Sequence, residues 1–182
     1  SQHLPIGIIA DLTAPALLFA QTIGRIGDIV NGEHCAKATD LFIGFIWTHA
    51  NSAANGCANG VGISVQPVIA YEMLWNMFAL FIIWNLRGRI KPDGMLFMLY
   101  LALYSVGRFA VTFAREDKIW GLGMQEAHYI AILIICLTIP LLLFKARWIS
   151  NDAAAAILES ESQEPRPEIG TRAERRRQGR GN

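Results

Sequence analysis

Ten residues, Gly24-Arg25-Ile26-Gly27-Asp28-Ile29-Val30-Asn31-Gly32-Glu33, close a long apolar run with three glycines, an arginine, two carboxylates and an asparagine. Glycine lets a backbone turn or approach a ligand closely. Arginine presents a planar fork that matches phosphate oxygens two at a time. Burying a core requires no such mixture at the end of a hydrophobic helix. The plainer alternative is a Gly-rich helix end with a snorkelling arginine.

Three more charges, Asp11, Glu72 and Arg108, fall inside apolar segments. Charges within a bilayer are costly, so they usually face a bundle interior and carry function. Glu72 lies five residues in from Pro67 and Arg108 six residues in from Ala114. At about 1.5 Å per residue, both sit roughly 7–9 Å below the same surface, so an ion pair is feasible. Such a pair either serves a site or fixes helix packing. Tyr104, Arg108, Thr112 and Arg115 recur at helical spacing and share one face. With Arg25, that face suits an anionic head group; a wet helix face would look the same. His34 is a candidate proton acceptor beside Glu33, or an ordinary loop histidine, while His3, His49 and His128 have no partner in the sequence.

The elements that must position these groups read as membrane spans. Of 182 residues, 53% are hydrophobic and 17% charged, an apolar balance for a soluble domain. Residues 4–23, 67–86, 94–114 and 127–144 are each long enough to cross a bilayer as helix. None can cross as an open strand, which would leave backbone groups unpaired. The fold class expected is therefore an all-α multi-pass membrane protein of four transmembrane helices. A net charge of +1 gives no reason to invoke nucleic acid. Arg87, Arg89 and Lys91 cluster after the second span, and Lys145 and Arg147 after the fourth. The excess of basic residues in short connections predicts that both face the cytoplasm, so residues 24–66 face outward.

That outer loop is long enough to need structure of its own. Residues 41–48 and 61–65 read as strands around a turn-forming tract at 51–60, predicting a small external β-hairpin or α/β insertion. Cys35 and Cys57 fall in this loop, where a disulfide and two free thiols are both open; Cys136 reads as a small apolar residue. The membrane domain is expected over residues 1–149, and residues 150–182, without aromatics and ending in arginines, read as a disordered cytoplasmic tail. The chain does not begin with methionine and looks like an internal start.

The ten-residue stretch resembles the signature of the prolipoprotein diacylglyceryl transferase family, Gly-Arg-x-Gly-Asn-Phe-x-Asn-x-Glu. Gly24, Arg25, Gly27, Asn31 and Glu33 match it. The resemblance continues through Thr39-Asp40-Leu41, Pro67 with Tyr71-Glu72, Gly107-Arg108-Phe109 with Arg115, and Gln125. It covers residues 12 to about 145 in order, and the four helices look like the last four of the family's seven. It implies a bacterial plasma-membrane enzyme that moves a diacylglyceryl group from phosphatidylglycerol to the lipobox cysteine of a prolipoprotein, releasing glycerol phosphate. It implies no cofactor and no metal. Arg25, Asp28, Glu33 and Arg108 would stand at the catalytic positions, and Asn31, Tyr71, Glu72, Tyr104, Arg115 and Gln125 at substrate-binding ones.

The chain departs from that pattern at several points. Gln66 replaces the motif histidine, Asp28 an asparagine, Ile29 a phenylalanine, Ala36 a glycine and Thr112 a glutamate, and no His-Gly-Gly motif is present. An ionised Asp28 would pair with Arg25 and partly cancel it, whereas a protonated one would donate as asparagine does. The rival to the enzyme is therefore a non-catalytic membrane protein that keeps the lipid-head-group pocket. A transporter is disfavoured because the sequence shows no internal repeat.

Overall fold

A computed structural model describes residues 6–33, 35–150, 152, 153 and 156. His3, His34 and most of the expected tail at 150–182 lie outside the described residues. Residues Ser1–Trp148 form one compact unit. Among the described residues, four long helices run through it: α1 (Ile6–Asn31), α2 (Val68–Leu86), α3 (Met95–Thr112) and α4 (Glu126–Lys145). All four are long and apolar enough to cross a membrane, giving an all-α multi-pass architecture with small strand pairs at its ends.

The first helix runs further than its apolar core suggests. Its 26 residues carry most of the Gly-Arg stretch as two further turns rather than as loop. Ile26, Ile29 and Val30 continue the apolar pattern, and Arg25 pairs with Asp28 three residues on, as helical neighbours can. The helix stops at Gly32, whose φ of +66° is the left-handed conformation that closes many helices.

Helices α1, α2 and α3 pack around Ala14, Leu18, Ala79, Ile83, Leu96 and Tyr100, while α4 lies along α3. Two contacts set their relative heights. At one end, Asp11 of α1 accepts hydrogen bonds from the backbone N–H groups of Gly94 and Phe97, both at 2.8 Å. These are among the donors that the start of α3 leaves without helical partners, so Asp11 caps that helix from another one. Nearer the other end, the Trp75 indole donates to the Leu103 carbonyl at 2.8 Å, and a Cβ on Gly107 would lie only 2.1 Å from the nearest Trp75 ring atoms. The missing side chain lets α2 and α3 approach closely.

Between α1 and α2, strands β1 (Phe45–Ile46) and β2 (Ser64–Val65) pair antiparallel, with Phe45 opposite Val65. The strands are shorter than the sequence suggests, because a turn donating Gly44 N–H to Leu41 O occupies the start of the first run. Cys35 and Cys57 form a disulfide with Cα atoms 5.2 Å apart, which closes the alternative left open by the sequence. The segment after Cys35 is held between two walls by bridges Ala36–Arg115 and Ala38–Val65.

Three short strands complete the ends, and a fourth closes them. The strand β3 (Ile90–Lys91) follows α2, and β4 (Ile119–Gly121) with β5 (Met124–Gln125) forms a hairpin before α4. After α4, β6 (Arg147–Trp148) pairs back onto β3, with Lys91 opposite Arg147. That pairing puts both basic connections at one end of the bundle, opposite the Gly-Arg stretch.

Candidate functional site

Three helices contribute to one charged cluster. Arg25 of α1 pairs with Asp28 through Nη1–Oδ2 at 2.7 Å and with Glu72 of α2 through Nη2 and Oε2. The other Glu72 oxygen, Oε1, accepts from Arg108 Nη1 of α3 at 2.5 Å. One carboxylate thus holds two guanidinium groups, one on each oxygen. The Glu72 side chain is 7% exposed, while Arg25 and Arg108 keep 21% and 26%. The carboxylate is buried and the arginines reach outward past it.

The surrounding walls are polar and aromatic. Trp75, Asn76 and Tyr104 close around the ion pairs, leaving a void of about 10 Å³, no more than a single water needs. Beside it, a cavity of about 240 Å³ opens between Gln21, Arg25, Asp28, Asn76 and Tyr104. Gln21 is fixed there by donating to the Tyr100 hydroxyl at 3.1 Å. Arginines on a buried carboxylate next to an open polar cavity can receive an anion, because each guanidinium has donors beyond those Glu72 uses.

The structure gathers five of the ten candidate residues: Arg25, Asp28, Glu72, Tyr104 and Arg108. The other five stand elsewhere. Asn31 donates to Glu33 at the end of α1, and Asn31 lines a separate cavity under Trp47 and Ser52. Tyr71 turns to the hairpin side and donates to Gln66 Oε1 at 3.0 Å. Arg115 lies beyond the end of α3, and its Nε pairs with Asp117 at 2.7 Å. Gln125 donates to the Arg115 carbonyl at 3.0 Å, and its own backbone N–H donates to His128 Nδ1 at 3.1 Å. The Tyr104-to-Arg115 stripe is broken twice: α3 ends at Thr112, and the Thr112 hydroxyl bonds back to the Arg108 carbonyl at 2.5 Å.

Gln21 and Asn76 belong to the cluster and carry no charge to mark them. Spacing was the available signal: each is four residues from a charged member on its own helix, Arg25 and Glu72 respectively.

A family model described as prolipoprotein diacylglyceryl transferase matches residues 1–144. The chain belongs to that family. Among proteins named phosphatidylglycerol–prolipoprotein diacylglyceryl transferase, one from Dehalococcoides mccartyi is 33% identical over 149 residues, covering 80% of this chain and 54% of the relative. One from Listeria welshimeri is 33% identical over 139 residues, covering 75% and 49%. A third, from Nocardia farcinica, is 33% identical over 154 residues, covering 80% and 31%. The chain spans about half the length of the first two of these transferases and less of the third. No solved structure matches it.

Proposed function

We propose that this chain supplies the phosphate-holding part of a phosphatidylglycerol–prolipoprotein diacylglyceryl transferase site. The observation that carries the reading is the meeting of Arg25 and Arg108 on opposite oxygens of Glu72, beside an open polar cavity. In the transfer, the lipobox cysteine sulfur attacks the glyceryl carbon as a thiolate, a C–S bond forms, and the C–O bond to the phosphate breaks. The electron pair leaves on the glycerol phosphate oxygen, so negative charge grows on the departing group. Fixed guanidinium donors stabilise that charge more than they stabilise the bound lipid, which is how they speed the step. Glu72 holds the two forks at one height. Tyr104 and Asn76 offer hydrogen-bonding groups to the glycerol. The Asn31–Glu33 pair, Tyr71, Arg115 and Gln125 support the loops around the site.

The reading includes an orientation. The basic connections carrying Arg87, Arg89, Lys145 and Arg147 face the cytoplasm of a bacterial inner membrane, and the arginine cluster faces outward, where exported prolipoproteins arrive. A disulfide in the loop between α1 and α2 agrees with an oxidising compartment on that side. Reporter fusions after Lys91 and Arg147 should read cytoplasmic and one near Asn55 external.

One observation favours a second reading, a head-group-binding protein without transfer. Asp28, where the family has asparagine, spends a carboxylate on Arg25, so the cluster sets two carboxylates against two guanidinium groups. Activity decides between them. The protein expressed from its own gene should transfer labelled diacylglycerol to a lipobox peptide in phosphatidylglycerol membranes. Lipid binding without transfer would establish the second reading.

A further inference from the structure

The hairpin before α4 ends in a tip whose residues run against its geometry. Strands β4 and β5 are joined by two residues, Leu122 and Gly123, with Gly121 opposite Met124. Both have positive φ, +49° and +72°, as a two-residue type I′ turn requires. Such turns select Asn-Gly or Asp-Gly, because left-handed backbone suits glycine and short polar side chains. Among the described residues, Leu122 is the only one besides glycine with positive φ. Packing does not compensate for it: Leu122 is 91% exposed, and Ile119 and Trp120 behind it are 63% and 66% exposed. Water would favour a polar residue at the tip on both counts.

The hairpin is also held in place. At its base the Gln125 side chain donates to the Arg115 carbonyl at 3.0 Å, tying it to the chain just past α3. Along its side, the Tyr129 hydroxyl of α4 donates to the Gly121 carbonyl at 2.8 Å. Tyr129, Leu133 and Leu137 follow at four-residue spacing on one face of α4, and all three are exposed. The exposed apolar face of a membrane-length helix therefore leads, through Tyr129, to the exposed apolar hairpin.

We propose that this hairpin is a membrane anchor, whose Leu122, Ile119 and Trp120 enter the hydrocarbon edge of the bilayer at the Gly-Arg end of the bundle. Three features select lipid as the partner. A leucine in a left-handed turn gains by burial only where an apolar medium meets the tip. An indole has an apolar body and a polar N–H, and settles where hydrocarbon gives way to head groups. Lys118, exposed beside Ile119, has a stem that can lie along the strand while its ammonium reaches the phosphates. A two-stranded ribbon can rest there because its free backbone edges stay at head-group level, within reach of water. The anchor is independent of transfer, and it would set the depth at which the Arg115 end of α3 stands.

The test uses the protein expressed from its own gene, in phosphatidylcholine nanodiscs, with a nitroxide on Ile119→Cys. Cys136, a free and exposed thiol, is replaced by alanine so that it takes no label. Collisions with oxygen, which concentrates in hydrocarbon, and with a water-soluble nickel chelate report the depth of the label. Oxygen should reach it and the chelate should be largely excluded. Leu122→Asn, which suits the turn better, should raise chelate collisions about ten-fold, the factor by which burying one leucine side chain shifts an in–out balance. Leu122→Met, still apolar, should keep the parent depth. In detergent, thermal unfolding of Leu122→Asn should match the parent or exceed it. Equal chelate access in the parent and in Leu122→Asn would overturn the proposal. So would a label shielded from both oxygen and chelate, which would put protein rather than lipid over the tip. A loss of stability in detergent on Leu122→Asn would assign the leucine to packing within the protein and overturn it as well.

Discussion

Asp11 and Glu72 make an instructive pair. Both are carboxylates inside membrane-length helices, and both are satisfied, yet by different partners. Asp11 takes two backbone N–H groups at the start of α3, and Glu72 takes two guanidinium groups from α1 and α3. The partner decides the meaning. Backbone donors at a helix terminus are fixed in number and used up by the cap, so nothing remains for a ligand. Arg108 meets Glu72 through Nη1, one of several nitrogens in a guanidinium that carries five N–H donors. One end of the bundle is therefore stapled by its carboxylate, and the other is loaded by it.

The sharpest way to break this contrast is at Glu72. Glu72→Ala leaves Arg108 without its carboxylate and Arg25 paired with Asp28; because both arginines stay a fifth to a quarter exposed, the cost falls below the about 3–5 kcal/mol of breaking a fully buried pair. Thermal unfolding in detergent should show that loss, with lipid transfer abolished as well. If the variant is as stable as the parent, Glu72 is not the hub of the cluster. Arg108→Ala comes next. Removing one fixed donor to a developing charge lowers turnover by about 10²–10³-fold, and Arg108→Lys should recover part of it, since the charge stays and the fork is lost. Full activity in Arg108→Ala would refute a phosphate role.

At the stapled end the effects are smaller and of another kind. Asp11→Ala should cost about 0.5–2 kcal/mol of stability, the range for a lost helix cap, with lipid affinity unchanged. A loss of turnover exceeding the loss of folded protein would move Asp11 into the site and dissolve the distinction. The smallest effect is expected at Asp28→Asn, which frees Arg25 from one carboxylate and should raise lipid binding by a few-fold, about what one partly exposed ion pair is worth. Weaker binding in that variant would show that the aspartate works in this branch of the family.

These contrasts also mark what a linear reading can reach. The four spans follow from length and apolar content, and the Glu72–Arg108 pair from equal depth on neighbouring helices; both need only local spacing. Asp11 looked the same as Glu72 because its partners lie 83 and 86 residues away, in backbone that carries no side-chain signal. Arg115 looked like a member of the α3 stripe because nothing in the spacing shows where a helix stops, and Asp117, two residues on, claims it. The pairing of β3 with β6 joins two-residue strands more than 50 residues apart in the chain, too short for any alternation to register. Gln21 and Asn76 were hidden for a different reason: uncharged amides gain meaning only from what faces them.

Gly107 shows how such a site can fail silently. No substrate has to touch this residue, yet any side chain there would meet the Trp75 ring and wedge α2 away from α3. Arg108 is its neighbour in the chain, and Glu72 lies one turn before Trp75. The wedge would pull the two charges apart while leaving both in the gene. An inventory of charged residues would score such a descendant as intact. A substitution at Gly107 would therefore open the cluster while every one of its charged residues stayed in the sequence.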